Sequence, residues 1–191
     1  MDFEFPLAGG DLRLGCPDIR LADVGRLVAA HLPDGDPLAS YVDRLTDAEL
    51  GRQSLRGYLS GSLDVVFRIP FTGGHRYVVA DYKTNWLGQA DRPLTAADYA
   101  PARMAEAMLH SDYPLQALLY CVVLHRFLRW RVIGYDPSRH LGGVLYLFVR
   151  GMCGPNTPVI DGSPAGVFGW QPPAALVTAL SDLLDGQQTA A

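Results

Sequence analysis

The stretch RGYLSGSLDVVFRIPFTGGHRYVVADYKTNW, Arg56 to Trp86, decides how the rest of the chain is read. Two runs rich in Val, Tyr and Phe flank Thr72-Gly73-Gly74, a pattern that predicts an antiparallel hairpin. In the first run Leu59, Leu63, Val65, Phe67 and Ile69 fall on odd positions and Ser60, Ser62, Asp64 and Arg68 on even ones, which places Asp64 on the more polar face. In the second run Asp81 and Lys83 leave one face, because alternate residues of a strand point the same way. A two-residue loop at Thr72-Gly73 sets Asp64 opposite Asp81; a loop at Gly73-Gly74 sets it opposite Lys83. In both registers all three side chains share a face, with cross-strand Cβ atoms about 4.5–5.5 Å apart.

Two carboxylates that close repel each other unless a cation lies between them, so the hairpin outlines a metal site. Asp64 and Asp81 are the only acidic residues between Gly51 and Ala90, which argues against a charge-decorated surface ribbon. Of sixteen basic residues fifteen are Arg, and the one lysine is Lys83. An arginine stays charged and forked, whereas an ammonium is compact and shifts its pKa readily, so Lys83 suits the orientation or deprotonation of a water. With oxygen ligands the natural ion is Mg²⁺, for which Ca²⁺ or Mn²⁺ can substitute.

Asp64 followed by Asp81-Tyr82-Lys83 resembles the D…(D/E)-x-K core of the PD-(D/E)XK nuclease superfamily. The surrounding text narrows the likeness. LRGYLSGSLDVVFR (Leu55 to Arg68), VADYKTNWLG (Val79 to Gly88), YPLQALLYCVVLHRFL (Tyr113 to Leu128) and GGVLYLFVRGM (Gly142 to Met152) resemble the C-terminal nuclease domain of the RecB family, the beta subunit of exodeoxyribonuclease V. The resemblance spans most of the chain and is densest from Arg56 to Met152. It implies an α/β, restriction-endonuclease-like fold: a mixed central sheet with a catalytic β-hairpin, flanked by helices. It implies Mg²⁺-dependent hydrolysis of DNA within a RecBCD-type helicase-nuclease acting in double-strand break repair and recombination. Asp64 and Asp81 would hold the metal together with the backbone carbonyl of Tyr82, and Lys83 would orient or help deprotonate the attacking water. Gln116 and Tyr120, four apart on one helix face, correspond to a Gln-x-x-x-Tyr pair beside the active centre, where it positions substrate or the lysine.

The same resemblance implies DNA, RecC-like and RecD-like subunits and the RecA recombinase as partners. In that family a helix upstream of the region matching Met1 supplies a histidine to the site, and none of the five histidines here stands in a matching context. Residues 1–191 therefore read as a single nuclease domain, a fragment without the helicase domains and without the first helix. Weak metal binding and low or absent cleavage are expected of the isolated chain. The alternative is a catalytically impaired nuclease-fold module that serves RecA loading or acts as a scaffold.

The bounds agree. A chain of 191 residues suits one domain with a real core. No apolar run approaches the length of a membrane span and no signal pattern opens the chain, so a soluble cytoplasmic protein without a membrane partner is expected. Cys16, Cys121 and Cys153 are widely spaced, which predicts free thiols. The net charge of −4 lacks the basic balance of a free-standing DNA binder; a nuclease domain fed DNA by larger partners does not need it.

Elsewhere, strands are expected in Met1 to Gly10 and Leu12 to Leu14, and a helix from Arg20 to Leu32 that Pro33 stops. Leu38 to Leu50 reads as one or two short helices, with Thr46 and Glu49 as a capping box. Thr95 and Asp98 form another. Ser111-Asp112-Tyr113-Pro114 opens a helix that runs to about Trp130 or Ile133. His125, Arg126, Arg129 and Arg131, with Phe127 and Trp130, form the one basic cluster, fit either for phosphates or for the helix end. Gly142 to Val149 is a buried strand, Met152 to Gly169 a loop with a short strand near Val159, and Gln171-Pro172-Pro173 opens a last helix through Leu184.

Overall fold

The computed structural model describes residues 1–7 and 18–187. In chain order the elements are β1 (Asp2–Pro6), β2 (Ile19–Arg20), α1 (Leu21–His31), α2 (Tyr41–Leu45), β3 (Ser54–Leu55), β4 (Tyr58–Ser62), β5 (Val65–Phe71), β6 (Gly74–Lys83), α3 (Pro101–Leu109), α4 (Tyr113–Arg131), α5 (Pro137–His140), β7 (Leu141–Phe148), β8 (Val159–Ile160), β9 (Ser163–Pro164), β10 (Val167–Trp170) and α6 (Ala174–Leu184). The expected strand at Leu12 to Leu14 and Cys16 lie outside the described residues.

The fold is α/β, built on a mixed four-stranded sheet in the order β10-β7-β6-β5. The hairpin β5-β6 is antiparallel, β6-β7 parallel and β7-β10 antiparallel. A parallel step needs a long crossover, which the residues between Lys83 and Leu141 provide through α3 and α4. Phe71 pairs with Gly74, so the loop is Thr72-Gly73, and Gly73 takes the positive φ of 101° that this turn demands. The register continues through Val65 opposite Ala80, which brings Asp64 level with Asp81.

Helix α4 packs on the face of β6 and β7 that carries Val79, Asp81, Lys83, Val144, Tyr146 and Phe148. Its Ala117, Leu118, Cys121, Val122 and Leu124 are buried, each large apolar side chain contributing roughly 1.5–3 kcal/mol. The core continues through Leu176 and Leu180 of α6 to Val24 and Val28 of α1.

Several local expectations change. The first arm of the hairpin is not one strand: β4 ends at Ser62 and pairs with β1 in a separate ribbon, and the chain bends at Leu63-Asp64 before β5. Leu63 is buried at that bend and exchanges hydrogen bonds with Met1 through its carbonyl and its N–H. The odd-numbered apolar positions of β5 do not all point inward, since Phe67 and Ile69 are 42% and 44% exposed on an edge strand. The even face is the one turned toward α4. Edge position also explains how Pro70 is tolerated within β5.

Thr46 closes α2 instead of opening a helix: its hydroxyl donates to Val42 O, and Asp47 takes over as the cap of the next turn, accepting from the N–H groups of Glu49 and Leu50. The box at Thr95 and Asp98 forms as expected, at the start of the short turn Ala96–Tyr99 that leads into α3. Asp112 begins α4 without a side-chain cap, because its carboxylate accepts instead from Tyr41 and Arg44. Val167 to Trp170, expected in part as loop, forms β10 at the outer edge of the sheet.

Candidate functional site

The site lies where β6 ends against α4. Asp81 and Lys83 are two residues apart on the α4 side of β6, and Gln116 and Tyr120 are one turn apart on the facing side of α4. The Lys83 ammonium sits 2.6 Å from Asp81 Oδ2 and donates to Gln116 Oε1 at 3.1 Å. Gln116 Nε2 donates to the Tyr120 hydroxyl at 2.9 Å, which donates to Asp81 Oδ1 at 3.2 Å. These contacts close a ring. An ammonium only donates, so Gln116 must present its oxygen to Lys83, which leaves its nitrogen for Tyr120.

Asp64 stands beside the ring at the bend before β5. It is exposed, and its Oδ2 accepts the backbone N–H of Tyr82 at 3.2 Å. The structure therefore brings Asp64, Asp81, Tyr82, Lys83, Gln116 and Tyr120 to one strand end. Two further residues went unnoticed in the sequence. The ring of Tyr113 lies 4.1 Å from the Lys83 nitrogen and that of Tyr146 lies 5.0 Å from it. Tyr146 follows from register, since it pairs with Asp81 across the parallel step; a register between distant segments leaves no trace in local spacing.

Electrostatics keep the phenols protonated. Burial, then the Asp81 charge and hydrogen bond, then the Asp64 charge, raise the Tyr120 hydroxyl well above its ordinary range. Burial and then Asp81 do the same to Tyr146. Both remain hydrogen-bond donors at neutral pH.

Hard divalent cations take oxygen ligands, and Mg²⁺ is commonly held by one or two carboxylates while keeping several waters. Asp64 and Asp81 offer that donor set, and Asp81 Oδ2, buried, has no aligned hydrogen-bond partner beyond the charge of Lys83. Among the described residues no three His, Cys, Asp or Glu side chains converge on a point. Four of the five histidines are engaged elsewhere: His31 and His110 with carbonyls of their own helices, His125 with Tyr135, and His140 with Asp136. The residues present thus fit an ion that fills the rest of its shell with water or substrate oxygens.

A cleft of about 300 Å³ opens beside Gln116 and Tyr120, with Phe3, Leu59, Ser60 and Leu119 on its walls. A larger cavity of about 590 Å³ near Arg20, Asp23 and Arg52 shares no residue with the ring and holds no buried polar group aimed into it. Past Lys83, Arg150 donates to Thr84 O at 2.9 Å, with its guanidinium 5.9 Å from the exposed ring of Trp86. The basic cluster of α4 does not act as one surface. Arg126 turns inward to Ser181 and Asp185, His125 is buried, and Arg129 lies about 14 Å along the helix from Tyr120.

No helix of the described residues is long and apolar enough to cross a membrane. No protein-family model matches the chain. Individual relatives do. It is 66% identical over 187 residues to RecBCD enzyme subunit RecB of Mycolicibacterium smegmatis, covering 98% of this chain and 17% of that protein. It is 69% identical over 185 residues to the subunit of the same name from Mycobacterium tuberculosis, covering 97% and 16%. To that of Escherichia coli it is 35% identical over 166 residues, covering 82% and 13%. The chain spans about a sixth of the length of the curated relatives it matches. Over nearly all of its residues the chain is homologous to one segment of these subunits, and as that segment it belongs to the RecB family.

Proposed function

We propose that the chain is the nuclease domain of a RecBCD-type subunit, of the PD-(D/E)XK kind, which cuts DNA by metal-dependent phosphodiester hydrolysis during double-strand break repair and recombination. The observation that carries this reading is the closed ring through Asp81, Lys83, Gln116 and Tyr120, with Asp64 exposed beside it. A scaffold that had shed catalysis would lose nothing, and often gain, by exchanging such a ring for apolar side chains.

Asp64, Asp81 and the carbonyl of Tyr82 are the groups that would hold Mg²⁺. When bound, such an ion supplies positive charge to a phosphodiester oxygen and lowers the pKa of a water. Lys83, held against Asp81, would orient that water for in-line attack, and its positive charge would ease loss of the water's proton to solvent. Tyr120 fixes the Asp81 carboxylate by donating to Oδ1, and Gln116 fixes the ammonium. Residues 1–191 form one nuclease domain on this reading, with DNA and RecC-type and RecD-type subunits as partners.

The test uses the intact subunit in its complex. Asp64→Ala alters an exposed carboxylate, so folding and assembly should be unaffected while Mg²⁺-dependent DNA cleavage falls by about 10³-fold, as for removal of a preorganised electrostatic group. Asp81→Asn and Lys83→Ala should lower cleavage as far, but each also breaks the buried Asp81–Lys83 pair and costs stability. Cleavage within twofold of wild type in all three would refute the reading.

A further inference from the structure

We infer that Tyr146 and Tyr113 are positioning residues for Lys83, forming an aromatic box whose inner hydroxyl sets the orientation of Gln116; the inference rests on the nuclease reading above. The two rings stack on each other with centroids 5.7 Å apart and an interplanar angle of 28°, and both face the ammonium. A cation over an aromatic face is attracted by the ring quadrupole, most strongly where water is excluded. Lysine has a long flexible stem, and the box, the carboxylate and the amide together restrict it to one place.

The Tyr146 hydroxyl adds a specific constraint. It lies 3.0 Å from Gln116 Oε1 and 3.1 Å from Tyr113 O, and shares its one proton between these two acceptors. The acceptor on Gln116 is the same oxygen that receives Lys83, so the hydroxyl holds the amide in the rotamer that meets the ammonium. Tyr113 is tied in turn by its own hydroxyl, which donates to Asn85 Oδ1 at 3.2 Å in the loop beyond Lys83. Neither tyrosine is placed to touch the reacting atoms. Each acts through the lysine.

The chain contains one lysine, so labelling it with ¹³C,¹⁵N-lysine gives a single side-chain signal. In the wild-type chain the ε-methylene protons should be shifted upfield by the two rings. Tyr146→Phe keeps the ring and removes the hydroxyl; it should move the signal toward the position of free lysine, and Gln116→Leu should do likewise. In the intact subunit Tyr146→Phe should lower kcat by about 10- to 100-fold, the scale of a small misplacement of a reacting group, with the KM for DNA within about twofold. In a Gln116→Leu background it should cost nothing more, whereas a purely structural contribution would add.

Should Tyr146→Phe fail to fold, Tyr113→Leu thins the box from its half-buried side and carries the same expectation for the lysine signal and for kcat. The positioning role is overturned if Lys83→Ala abolishes cleavage while both tyrosine variants keep the lysine signal and kcat of wild type, or if the losses from Tyr146→Phe and Gln116→Leu add. The nuclease reading itself fails only if Lys83→Ala, like Asp64→Ala and Asp81→Asn, cleaves within twofold of wild type.

Discussion

Breaking the Asp81–Lys83 pair from one side or from both gives the sharpest quantitative check on the site. At 2.6 Å two unit charges attract by about 6 kcal/mol in an effective dielectric of ~20. The side chains keep 7% and 11% exposure, so several kcal/mol of lost hydration per ion stands against that gain. The pair therefore contributes little net stability, yet removing one partner strands the other charge, at roughly 3–5 kcal/mol for a buried pair. The two strandings differ. Asp81→Leu leaves Lys83 with Gln116 and two rings, placing its cost near ~3 kcal/mol; Lys83→Met leaves Asp81 with Tyr120 alone, nearer ~5 kcal/mol. Asp81→Leu/Lys83→Met removes both charges and should cost no more than the milder single change, a coupling of at least ~5 kcal/mol. Equilibrium urea unfolding, followed by tryptophan fluorescence, measures all four corners of the cycle. Additive losses, or single variants within ~0.5 kcal/mol of wild type, would refute the description of the pair as buried and mutually dependent.

Gly143 in β7 has a φ of 80°, and a Cβ there would lie 2.7 Å from Gln171 Cα and also against Trp170 O, so Gly143→Ala should cost at least ~2 kcal/mol and lower Tm by about 5 °C or more. A thermal scan within 1–2 °C of wild type, about the width of a neutral substitution, would contradict that packing. The Arg92 guanidinium, then the Thr95 N–H, hold the Asp98 carboxyl well below the usual carboxylate range. A depressed pKa stabilises the fold above the unfolded value near ~3.9 and ceases to do so as pH falls further, so wild-type and Asp98→Asn stabilities should differ at neutral pH and converge in acid; a constant difference would rule this out. Burial pushes the Cys121 thiol up to about 12, while Cys153 is exposed. With Cys16 and Cys153 replaced by serine, a thiol reagent at pH ~8 should label nothing until urea unfolds the chain, because reaction requires the thiolate; rapid labelling of the native protein would show Cys121 to be accessible.

The alternation of residues was enough to put Asp64, Asp81 and Lys83 on one face but left two registers open, and the pairing of Phe71 with Gly74 selects the Thr72-Gly73 loop that sets Asp64 against Asp81. The helix carrying Gln116 and Tyr120 was equally legible from its proline and its apolar spacing. The break at Leu63-Asp64 was not, because from Leu59 to Ile69 the alternation departs only at Gly61 and Val66, neither of them at the bend, and only the pairing of β4 with β1 draws half of that run into another sheet. Thr46 and Glu49 matched a capping pattern, but Asp47 competes with them from one position on, with hydrogen bonds to two free N–H groups. The basic residues of α4 cluster in sequence and separate in space, since Arg126 has Asp185 within reach just past the end of α6. Tyr146 reads locally as one more apolar strand position; its contact with Lys83 exists only once β7 lies parallel to β6.

The bend before β5 has a consequence for how damage to this protein will be distributed. Asp64 belongs to no strand, and its location is inherited from neighbours: Leu63 wedged in the core on one side, and the small β1-β4 ribbon on the other. Within that ribbon Phe3 covers Gly61 so closely that any larger residue there would push the ring away. Lesions at such remote spots act as a lever on the exposed carboxylate, so a genetic screen for loss of activity should return ribbon alleles that leave every group of the reaction chemically intact.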